Sequence, residues 1–266
     1  MYTLGIDIGS TSSKAVIMRD GKTIVRKVLV TVGTGTSGPA QLIEKLFEDQ
    51  EIQLSDIQKT IVTGYGRTSF KEADKQISEL SCHARGVHFL FPSARTVIDI
   101  GGQDAKALKL NSRGMLLNFS MNDKCAAGTG RFLDVMARVL ETNIEDMGSL
   151  SEQAQAAATI SSVCTVFAES EVISHLSKGT GTANIIAGIH RSVAQRVSML
   201  AVKLGIENDV VMTGGVAQNS GVVKAMEEAI KTRIKVSDYP QYTGAIGAAI
   251  YAFDEAEKEM TKRCSL

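Results

Sequence analysis

The chain has 266 residues with 29 basic and 29 acidic side chains, and this zero net charge without a basic stripe or an acidic tail argues against a nucleic-acid partner. Its apolar runs are too short to cross a bilayer, and Met1 leads directly into a strand pattern, so we expect a cytoplasmic protein with no signal peptide and no membrane partner. The four cysteines are widely spaced and would normally stay reduced in that compartment.

The first predicted element is a buried strand over residues 3–8. Strands over 14–19 and 23–32 follow, and the Asp-Gly turn between them is a strong hairpin signal. The first strand therefore carries Asp7 towards a loop of glycine and hydroxyl residues. Such a loop offers N–H and O–H donors to phosphate, and the carboxylate can hold Mg²⁺. The predicted phosphate-binding residues are Gly9, Ser10, Thr11, Ser12, Ser13 and Lys14.

A second glycine-rich segment, Gly33 to Gly38, matches G-x-G-x-x-G ahead of a helix predicted over 39–49. A dinucleotide site would also require an acid about 20 residues later, at the end of a second strand. The nearby candidate, Asp56, lies in a polar segment typical of a turn or a helix. We therefore interpret the match as coincidental.

A strand over 59–63 and a helix over 75–91 follow. The helix carries Cys82, His83 and His88. We identify no carboxylate or cysteine at ligand spacing beside either histidine, so surface or packing roles are expected for both in preference to metal binding. Cys82, inside the helix, is predicted to be a small core residue.

The first hairpin recurs in the second part of the chain. Asp99, Gly101 and Lys106 repeat its aspartate, glycine and lysine at an offset of 92 positions. A strand, a polar turn and another strand over 115–119 again follow. A repeated unit of this kind implies two similar halves that face each other across a nucleotide cleft. The second phosphate loop is predicted to comprise Gly101, Gly102, Gln103 and Asp104.

Two cysteines precede predicted helices. Cys125 lies in Asn-Asp-Lys-Cys-Ala-Ala-Gly-Thr-Gly-Arg (122–131), directly before an apolar helical pattern, and Cys164 precedes a helix that begins near Thr165. The unpaired N–H groups and the dipole of a helix N-terminus both favour a thiolate. These residues alone leave open whether Cys125 is functional or a structural cysteine beside a glycine turn.

The last third of the chain predicts an amphipathic helix over 183–204 and a strand that ends at Gly214-Gly215. Glycines at a strand end allow a planar ring or a ribose to lie close to the backbone. A C-terminal helix is predicted from Gly244, and the polar tail at 258–266 is expected to fray, which leaves Cys264 without an evident role.

With two phosphate hairpins and a Gly-Gly strand end, the chain resembles the actin, sugar-kinase and heat-shock-chaperone ATPase superfamily. Three segments, Asp-Ile-Gly-Gly-Gln-Asp-Ala-Lys, the Cys125 stretch and Thr-Gly-Gly-Val-Ala-Gln-Asn, resemble the activator components of 2-hydroxyacyl-CoA dehydratases and the related ATPase subunits of benzoyl-CoA reductases. The resemblance implies an α/β fold of two similar actin-like, ribonuclease-H-like lobes. Lobe I would span 1–92, completed by a helix at about 243–266, and lobe II would span 93–242.

The same resemblance implies a homodimer that holds one [4Fe–4S] cluster between its subunits. The two ligands from each chain would be Cys125 and Cys164. Such a cluster normally needs four thiolates, and a two-fold axis would supply the second pair. A four-cysteine site within one chain, which would also use Cys82 and Cys264, remains the alternative.

The implied activity is ATP-driven transfer of one electron to a dehydratase, with ferredoxin or flavodoxin as reductant. Asp7 and Asp99, with Asp104 as a second candidate, are expected to hold Mg²⁺ and position the attacking water. Lys14 would stabilise phosphoryl charge. ATP or ADP would contact both phosphate loops, and its adenosine would contact Gly214, Gly215, Gln218 and Gln241.

Three other functions stay open at this point. The first is a small-molecule kinase of the same superfamily, in which the two cysteines would be packing residues. The second is the ATPase subunit of a benzoyl-CoA-reductase-like system. The third is a regulatory or assembly ATPase without a redox role.

Overall fold

The computed structural model describes residues 1–48, 51–161 and 164–264, with backbone only for Arg263 and Cys264. The chain forms two compact units. Unit 1 comprises Met1–Ser93, Asn111–Leu116 and Gln241–Leu266, and unit 2 comprises Ala94–Leu110 and Leu117–Pro240. Among the described helices, none has both the length and the apolar character that a bilayer-spanning segment requires.

The structure contains strands and helices in alternating groups. The strands are β1 (Tyr2–Ile8), β2 (Ser13–Arg19), β3 (Thr23–Val30), β4 (Ile57–Thr63), β5 (Lys75–Gln76), β6 (Thr96–Ile100), β7 (Ala105–Leu110), β8 (Leu116–Asn122), β9 (Val210–Thr213) and β10 (Ile234–Val236). The α-helices are α1 (Gly38–Phe47), α2 (Glu79–Leu90), α3 (Gly130–Val139), α4 (Met147–Ser151), α5 (Thr165–Ser177), α6 (Thr182–Leu204), α7 (Ser220–Ile230) and α8 (Thr243–Cys264).

Unit 1 is built on a five-stranded sheet with the order β3-β2-β1-β4-β5. Strand β1 pairs antiparallel with β2 and parallel with β4, so it lies at the centre, and all of its residues after Tyr2 are buried. The core beside it contains Leu4, Ile6 and Leu42. Asp7 is the last residue but one of this buried strand, so the apolar core holds its carboxylate at the start of the loop that joins β1 to β2.

Helix α8 brings the C-terminal part of the chain onto this sheet. It packs against β1, β4 and α2, and glycines at the crossings allow the close approach. A Cβ on Gly5 would collide with the carbonyl oxygen of Ala245, and one on Gly247 would collide with the carbonyl oxygen of Cys82. The helix continues to Cys264, so the prediction of a frayed tail from residue 258 is wrong.

Unit 2 repeats the plan of unit 1. Its sheet has the order β10-β9-β6-β7-β8, in which β6 pairs antiparallel with β7 and parallel with β9. Read from the opposite edge, this order matches that of unit 1 strand for strand. The core on its helical side contains Ile98, Phe132, Ile185 and Val222. The two five-stranded sheets with equal connectivity confirm the predicted α/β class with two similar halves.

Candidate functional site

The first predicted phosphate loop closes tightly between β1 and β2. Asp7 and Lys14 are opposite each other in the strand register, and the Lys14 Nζ lies 3.9 Å from Asp7 Oδ2. Asp7 is 4% exposed. The N–H of Gly9 donates a hydrogen bond to the carbonyl of Ser12 at 3.0 Å, which folds the loop back on itself. The loop therefore presents one buried carboxylate and one ammonium group at its base.

Two glycines leave room beside the Asp7 carboxylate. Gly64, with φ of +90°, follows β4, and a Cβ there would overlap Asp7 Oδ1. A Cβ on Gly244 would lie only 2.8 Å from Asp7 Oδ2. The space that these side chains would fill gives access to both carboxylate oxygens. Because Mg²⁺ prefers oxygen ligands and is bound through one or two carboxylates, Asp7 fits a magnesium ligand.

His83 lies beside this carboxylate. It was expected to be a surface or packing residue, and the structure places it in the interior, 7% exposed. Its Nδ1 is 3.1 Å from the hydroxyl of Thr243, and its Nε2 is 3.9 Å from Glu79 Oε1, one helical turn earlier. His88, on the same helix, packs against the turn at Gly114.

The Gly33–Gly38 segment supports the first loop. The N–H of Thr34 donates to the carbonyl of Gly9 at 2.9 Å, and a Cβ on Gly33 would collide with the carbonyl of Ser10. Asp56 caps a short 3₁₀ turn by accepting from the N–H of Gln53 at 2.8 Å, so it does not end a strand. The geometry agrees with the interpretation that this segment is not a dinucleotide motif.

The second hairpin repeats the geometry of the first, and here the carboxylate also accepts a hydrogen bond from a threonine hydroxyl. Asp99 is 3% exposed and accepts a hydrogen bond from the Thr213 hydroxyl at 2.8 Å. Lys106, opposite Asp99 in the register, places its Nζ 3.7 Å from Asp99 Oδ2 and 2.7 Å from Asp104 Oδ2. The N–H of Gly101 donates to the carbonyl of Asp104 at 2.9 Å, as Gly9 donates to Ser12. Asp99 thus has the same buried setting as Asp7.

The second loop is hydrogen-bonded to the start of α3. The N–H of Gly130 donates to the carbonyl of Gly101 at 2.9 Å, and the N–H of Arg131 donates to the carbonyl of Gly102 at 2.8 Å. These N–H groups belong to the first turn of α3, which has no partner for them within the helix. A displacement of the loop would therefore be transmitted to the helix and to the cysteine stretch that precedes it.

Cys125 is half-buried in that stretch. The amide of Asn122 donates to the carbonyl of Cys125 at 2.9 Å, which holds the loop in place. A guanidinium N–H of Arg196, on α6, donates to Cys125 Sγ at 3.7 Å, and the Arg196 side chain crosses the loop where Gly128 leaves room. The sulfur therefore lies against a cation at the edge of the unit 2 core.

Cys164 is exposed at the N-terminus of α5, and its carbonyl accepts the first hydrogen bond of that helix from Ala168 at 2.9 Å. Val166 and Phe167 beside it are 66% and 65% exposed. Cys82 differs, since burial raises the pKa of its thiol to about 12 and it packs in the unit 1 core, as predicted. The Cys264 side chain lies outside the described part of the chain.

The positions of the described thiols indicate which cysteines could bind the expected [4Fe–4S] cluster. Unit 2 offers the thiols of Cys125 and Cys164, neither of them fully buried, and each precedes a helix. Cys82 is in the other unit and is kept protonated by burial. A [4Fe–4S] cluster normally needs four thiolates, so this donor set fits half of one cluster.

The Gly-Gly strand end forms a tight turn. Gly214 has a φ of +86°, and a Cβ there would collide with the carbonyl of Ile100. Its N–H donates to the carbonyl of Pro240 at 2.8 Å. Gly215 begins a 3₁₀ turn that ends at the exposed Gln218. Gln241 follows Pro240 and is assigned to unit 1.

Several residues of these sites were missed in the sequence. Gly64 follows Thr63 as Gly214 follows Thr213, and both glycines have positive φ at the ends of equivalent strands. The repeat of Thr-Gly at the ends of these two strands could therefore have identified Gly64 in the sequence. For His83, Thr243, Gly244 and Arg196 no local pattern pointed to the site, because each comes from a helix that is distant in sequence from the loop it contacts.

His190 supports the turn that ends the Gly214 motif. It is 1% exposed, and its Nε2 lies 3.3 Å from the Asn219 Nδ2. Asn219 Oδ1 accepts from the N–H of Val222 at 3.1 Å, so its amide nitrogen faces the ring and donates to Nε2. The proton of the neutral imidazole is therefore on Nδ1. Burial lowers the pKa of His190 to about 4, from 6.5.

We expect the folded protein to lose about 2 kcal/mol of stability between pH 7 and pH 5 because of His190. The unfolded chain binds a proton near pH 6.5 and the folded chain only near pH 4, so stability falls as the pH falls through this range. Urea denaturation at the two pH values would measure this loss. In His190→Gln, which cannot be charged, the difference between the two pH values should shrink by that amount, and an unchanged difference would contradict the assignment.

Comparison with known proteins gives consistent matches. The sequence model described as the BadF/BadG/BcrA/BcrD ATPase family matches residues 4–252. The chain is 59% identical to the (R)-2-hydroxyglutaryl-CoA dehydratase activating ATPase of Acidaminococcus fermentans, over 97% of this chain and 99% of that one. It is 61% identical to the activator of lactoyl-CoA dehydratase of Anaerotignum propionicum, over 97% and 100% of the two chains.

A solved structure matches this chain at a similar level of sequence identity. The activator of the 2-hydroxyisocaproyl-CoA dehydratase from Clostridium difficile, with bound ADPNP, has a TM-score of 0.96 and 59% sequence identity, over 98% of both chains. ADPNP is the nucleotide bound by that protein. The matched residues come from both units of the present chain.

Proposed function

The chain belongs to the BadF/BadG/BcrA/BcrD ATPase family, and from this premise we propose that it hydrolyses ATP to drive electron transfer to a 2-hydroxyacyl-CoA dehydratase. Relatives that are about 60% identical over their whole length are named as activators of such dehydratases, which supports this class of partner. The nucleotide bound by the C. difficile relative supports ATP and ADP as ligands.

For ATP hydrolysis, we assign the two hairpins to the phosphates and Mg²⁺. Asp7 and Asp99, with Asp104 as a second candidate, hold Mg²⁺ and orient the attacking water, and Lys14 stabilises the charge of the transferred phosphoryl group. The repeated settings of the two buried carboxylates support this assignment. The nucleotide phosphates contact the N–H and hydroxyl groups of Gly9, Ser10, Thr11, Ser12 and Ser13 and the loop of Gly101, Gly102 and Gln103. The adenosine contacts Gly214, Gly215, Gln218 and Gln241.

The single observation that supports coupling is the pair of hydrogen bonds from α3 to the second phosphate loop. Loss of the γ-phosphate changes what Gly101 and Gly102 contact. Their carbonyls accept from the first turn of α3, so the change reaches the segment that carries Cys125. Rearrangement of a few loop residues is a common route by which nucleotide state alters distant geometry.

For electron transfer, we propose that Cys125 and Cys164 of two chains hold one [4Fe–4S] cluster. When bound, such a cluster would supply one low-potential electron to the dehydratase. Ferredoxin or flavodoxin would then reduce the cluster again. The two cysteines of unit 2 precede helices, and Arg196 donates to the Cys125 sulfur. Hydrogen bonds to sulfur raise or lower cluster potentials, so Arg196 is placed to tune this one.

The proposal is tested by anaerobic purification followed by iron, sulfide and oligomer analysis. We expect a brown dimer with four iron atoms per two chains. Dehydration of a 2-hydroxyacyl-CoA by a purified dehydratase should then require this protein, ATP and a reductant together, and ADPNP in place of ATP should not support turnover. A colourless, iron-free ATPase that phosphorylates a small molecule would instead establish the kinase alternative.

A further inference from the structure

The imidazole of His83 and the carboxylate of Asp7 lie on either side of one small space next to Gly244. A single point beside the Gly244 α-carbon, where a Cβ would be, is 2.8 Å from Asp7 Oδ2 and 3.2 Å from His83 Nε2. Both side chains are more than nine-tenths buried. A buried carboxylate and an imidazole nitrogen therefore border the same small space, and that space stays open because residue 244 is glycine.

The ring of His83 is held in a defined orientation. Thr243 is fully buried, and its hydroxyl lies 3.1 Å from Nδ1. With Nδ1 at the Thr243 hydroxyl, the other ring nitrogen, Nε2, is directed to the side on which Asp7 lies. The charged groups that face this region include Glu79, whose Oε1 is 3.9 Å from Nε2, and Lys14, whose Nζ is 3.9 Å from Asp7 Oδ2.

The chemistry of Mg²⁺ gives this arrangement a use. Mg²⁺ dehydrates reluctantly, so it keeps several water ligands and is bound through one or two carboxylates. Those waters require hydrogen-bond partners in the protein. Groups that orient metal ligands in this way change metal affinity by roughly 10–100-fold when they are removed. A nitrogen beside the carboxylate, anchored from behind by a buried hydroxyl, meets this requirement.

We propose that His83 is a positioning residue for ATP hydrolysis, which binds through Nε2 to a water ligand of the Mg²⁺ held at Asp7. The inference rests on the proposed ATPase function and adds a residue to its metal site. In this role Thr243 fixes the ring, and Gly244 provides the room for the metal-bound water. His83 itself contacts neither the phosphates nor the attacking water.

Two substitutions separate this role from a merely structural one. His83→Asn keeps an amide group near the position of Nδ1, and so keeps the partner of Thr243, but it removes the group at the position of Nε2. His83→Gln reaches towards the position of Nε2. The matched control is His88→Asn, which removes the other imidazole of α2, where it packs against Gly114.

The experiment measures binding of Mn²⁺ to the ADP complex of the full-length, iron-loaded, oxidised protein, by electron paramagnetic resonance of free Mn²⁺. We expect His83→Asn to weaken Mn²⁺ binding roughly tenfold while metal-free ADP binding stays unchanged. The turnover number for ATP should fall with it, and the KM should change little. His83→Gln should recover part of the affinity, and His88→Asn should match the unaltered protein.

Three results would overturn the inference, in distinguishable ways. Wild-type Mn²⁺ affinity in His83→Asn would mean that Nε2 has no contact with the metal's water shell. Loss of metal-free ADP binding in both His83 variants would show a structural role only. If the unaltered protein binds ADP with no dependence on metal, the proposed ATPase site fails together with this residue's role.

Discussion

Replacement of Cys164 by serine is expected to abolish the iron–sulfur cluster and with it more than 90% of dehydratase activation. Serine is a poor ligand for a centre that takes thiolates, and a shared cluster loses two of its four ligands when each chain loses one. Cys164 is exposed at the start of α5, so the substitution leaves the packing of unit 2 intact. Iron and sulfide content and the visible absorption spectrum of the anaerobic protein would measure the loss.

The control for this variant is Cys82→Ala, which removes the buried thiol of unit 1. We expect it to retain a full complement of iron, because burial keeps that thiol protonated. ATP hydrolysis should persist in Cys164→Ser, since the phosphate loops do not include the cysteine. A Cys164→Ser protein that still carries four iron atoms would refute the shared cluster and would favour a site within one chain.

Replacement of Asp7 by asparagine is expected to lower the turnover number for ATP roughly 100–1000-fold, as does the removal of other single groups that stabilise charge in a transition state. Asparagine has almost the same shape, so the strand and its loop are retained. The loss of the buried negative charge weakens Mg²⁺ binding and leaves Lys14 without its partner at 3.9 Å. Phosphate release and ATP-dependent dehydratase activation would both report the loss.

Asp20→Asn is the matched control for Asp7→Asn, because Asp20 lies in the exposed turn between β2 and β3 and pairs with the N-terminal amine. It should hydrolyse ATP at the normal rate. The iron content of Asp7→Asn should also be normal, which separates a catalytic effect from loss of the cluster. If Asp7→Asn hydrolyses ATP near the wild-type rate, Asp7 is not the metal ligand, and the role would be assigned to Asp99.

Much of the site could be predicted from local pattern. Strands β1 and β2 and their repeat β6 and β7 are joined by short loops, so their register follows from the alternation of apolar residues and from turn chemistry. This is why the pairings of Asp7 with Lys14 and of Asp99 with Lys106 could be expected from spacing. The helices that follow Cys125 and Cys164 could also be predicted locally, because an apolar pattern with helical spacing begins shortly after each cysteine.

The C-terminal helix illustrates where local pattern was insufficient. Its last turn is polar, and such a segment has little intrinsic reason to stay ordered. Lys59 and Lys75 pair with Glu259 and Glu255 of α8, at side chains that only the fold brings together. Contacts with the rest of unit 1 thus support, as far as Glu259, a helix that its own sequence would allow to fray.

The sequence by itself determined the repeated hairpins, the two carboxylates at the ends of their central strands, and the placement of Cys125 and Cys164 ahead of helices. Only the tertiary structure decided what surrounds them. His83 and Gly244 are 76 and 237 positions away from Asp7 along the chain, and they reach it because α8 packs against the sheet and α2 packs against α8. Arg196 reaches Cys125 across the core of unit 2 in the same way. Local spacing encodes strand, turn and helix, whereas contacts between distant segments depend on burial of the whole apolar surface, which no short stretch of sequence reports.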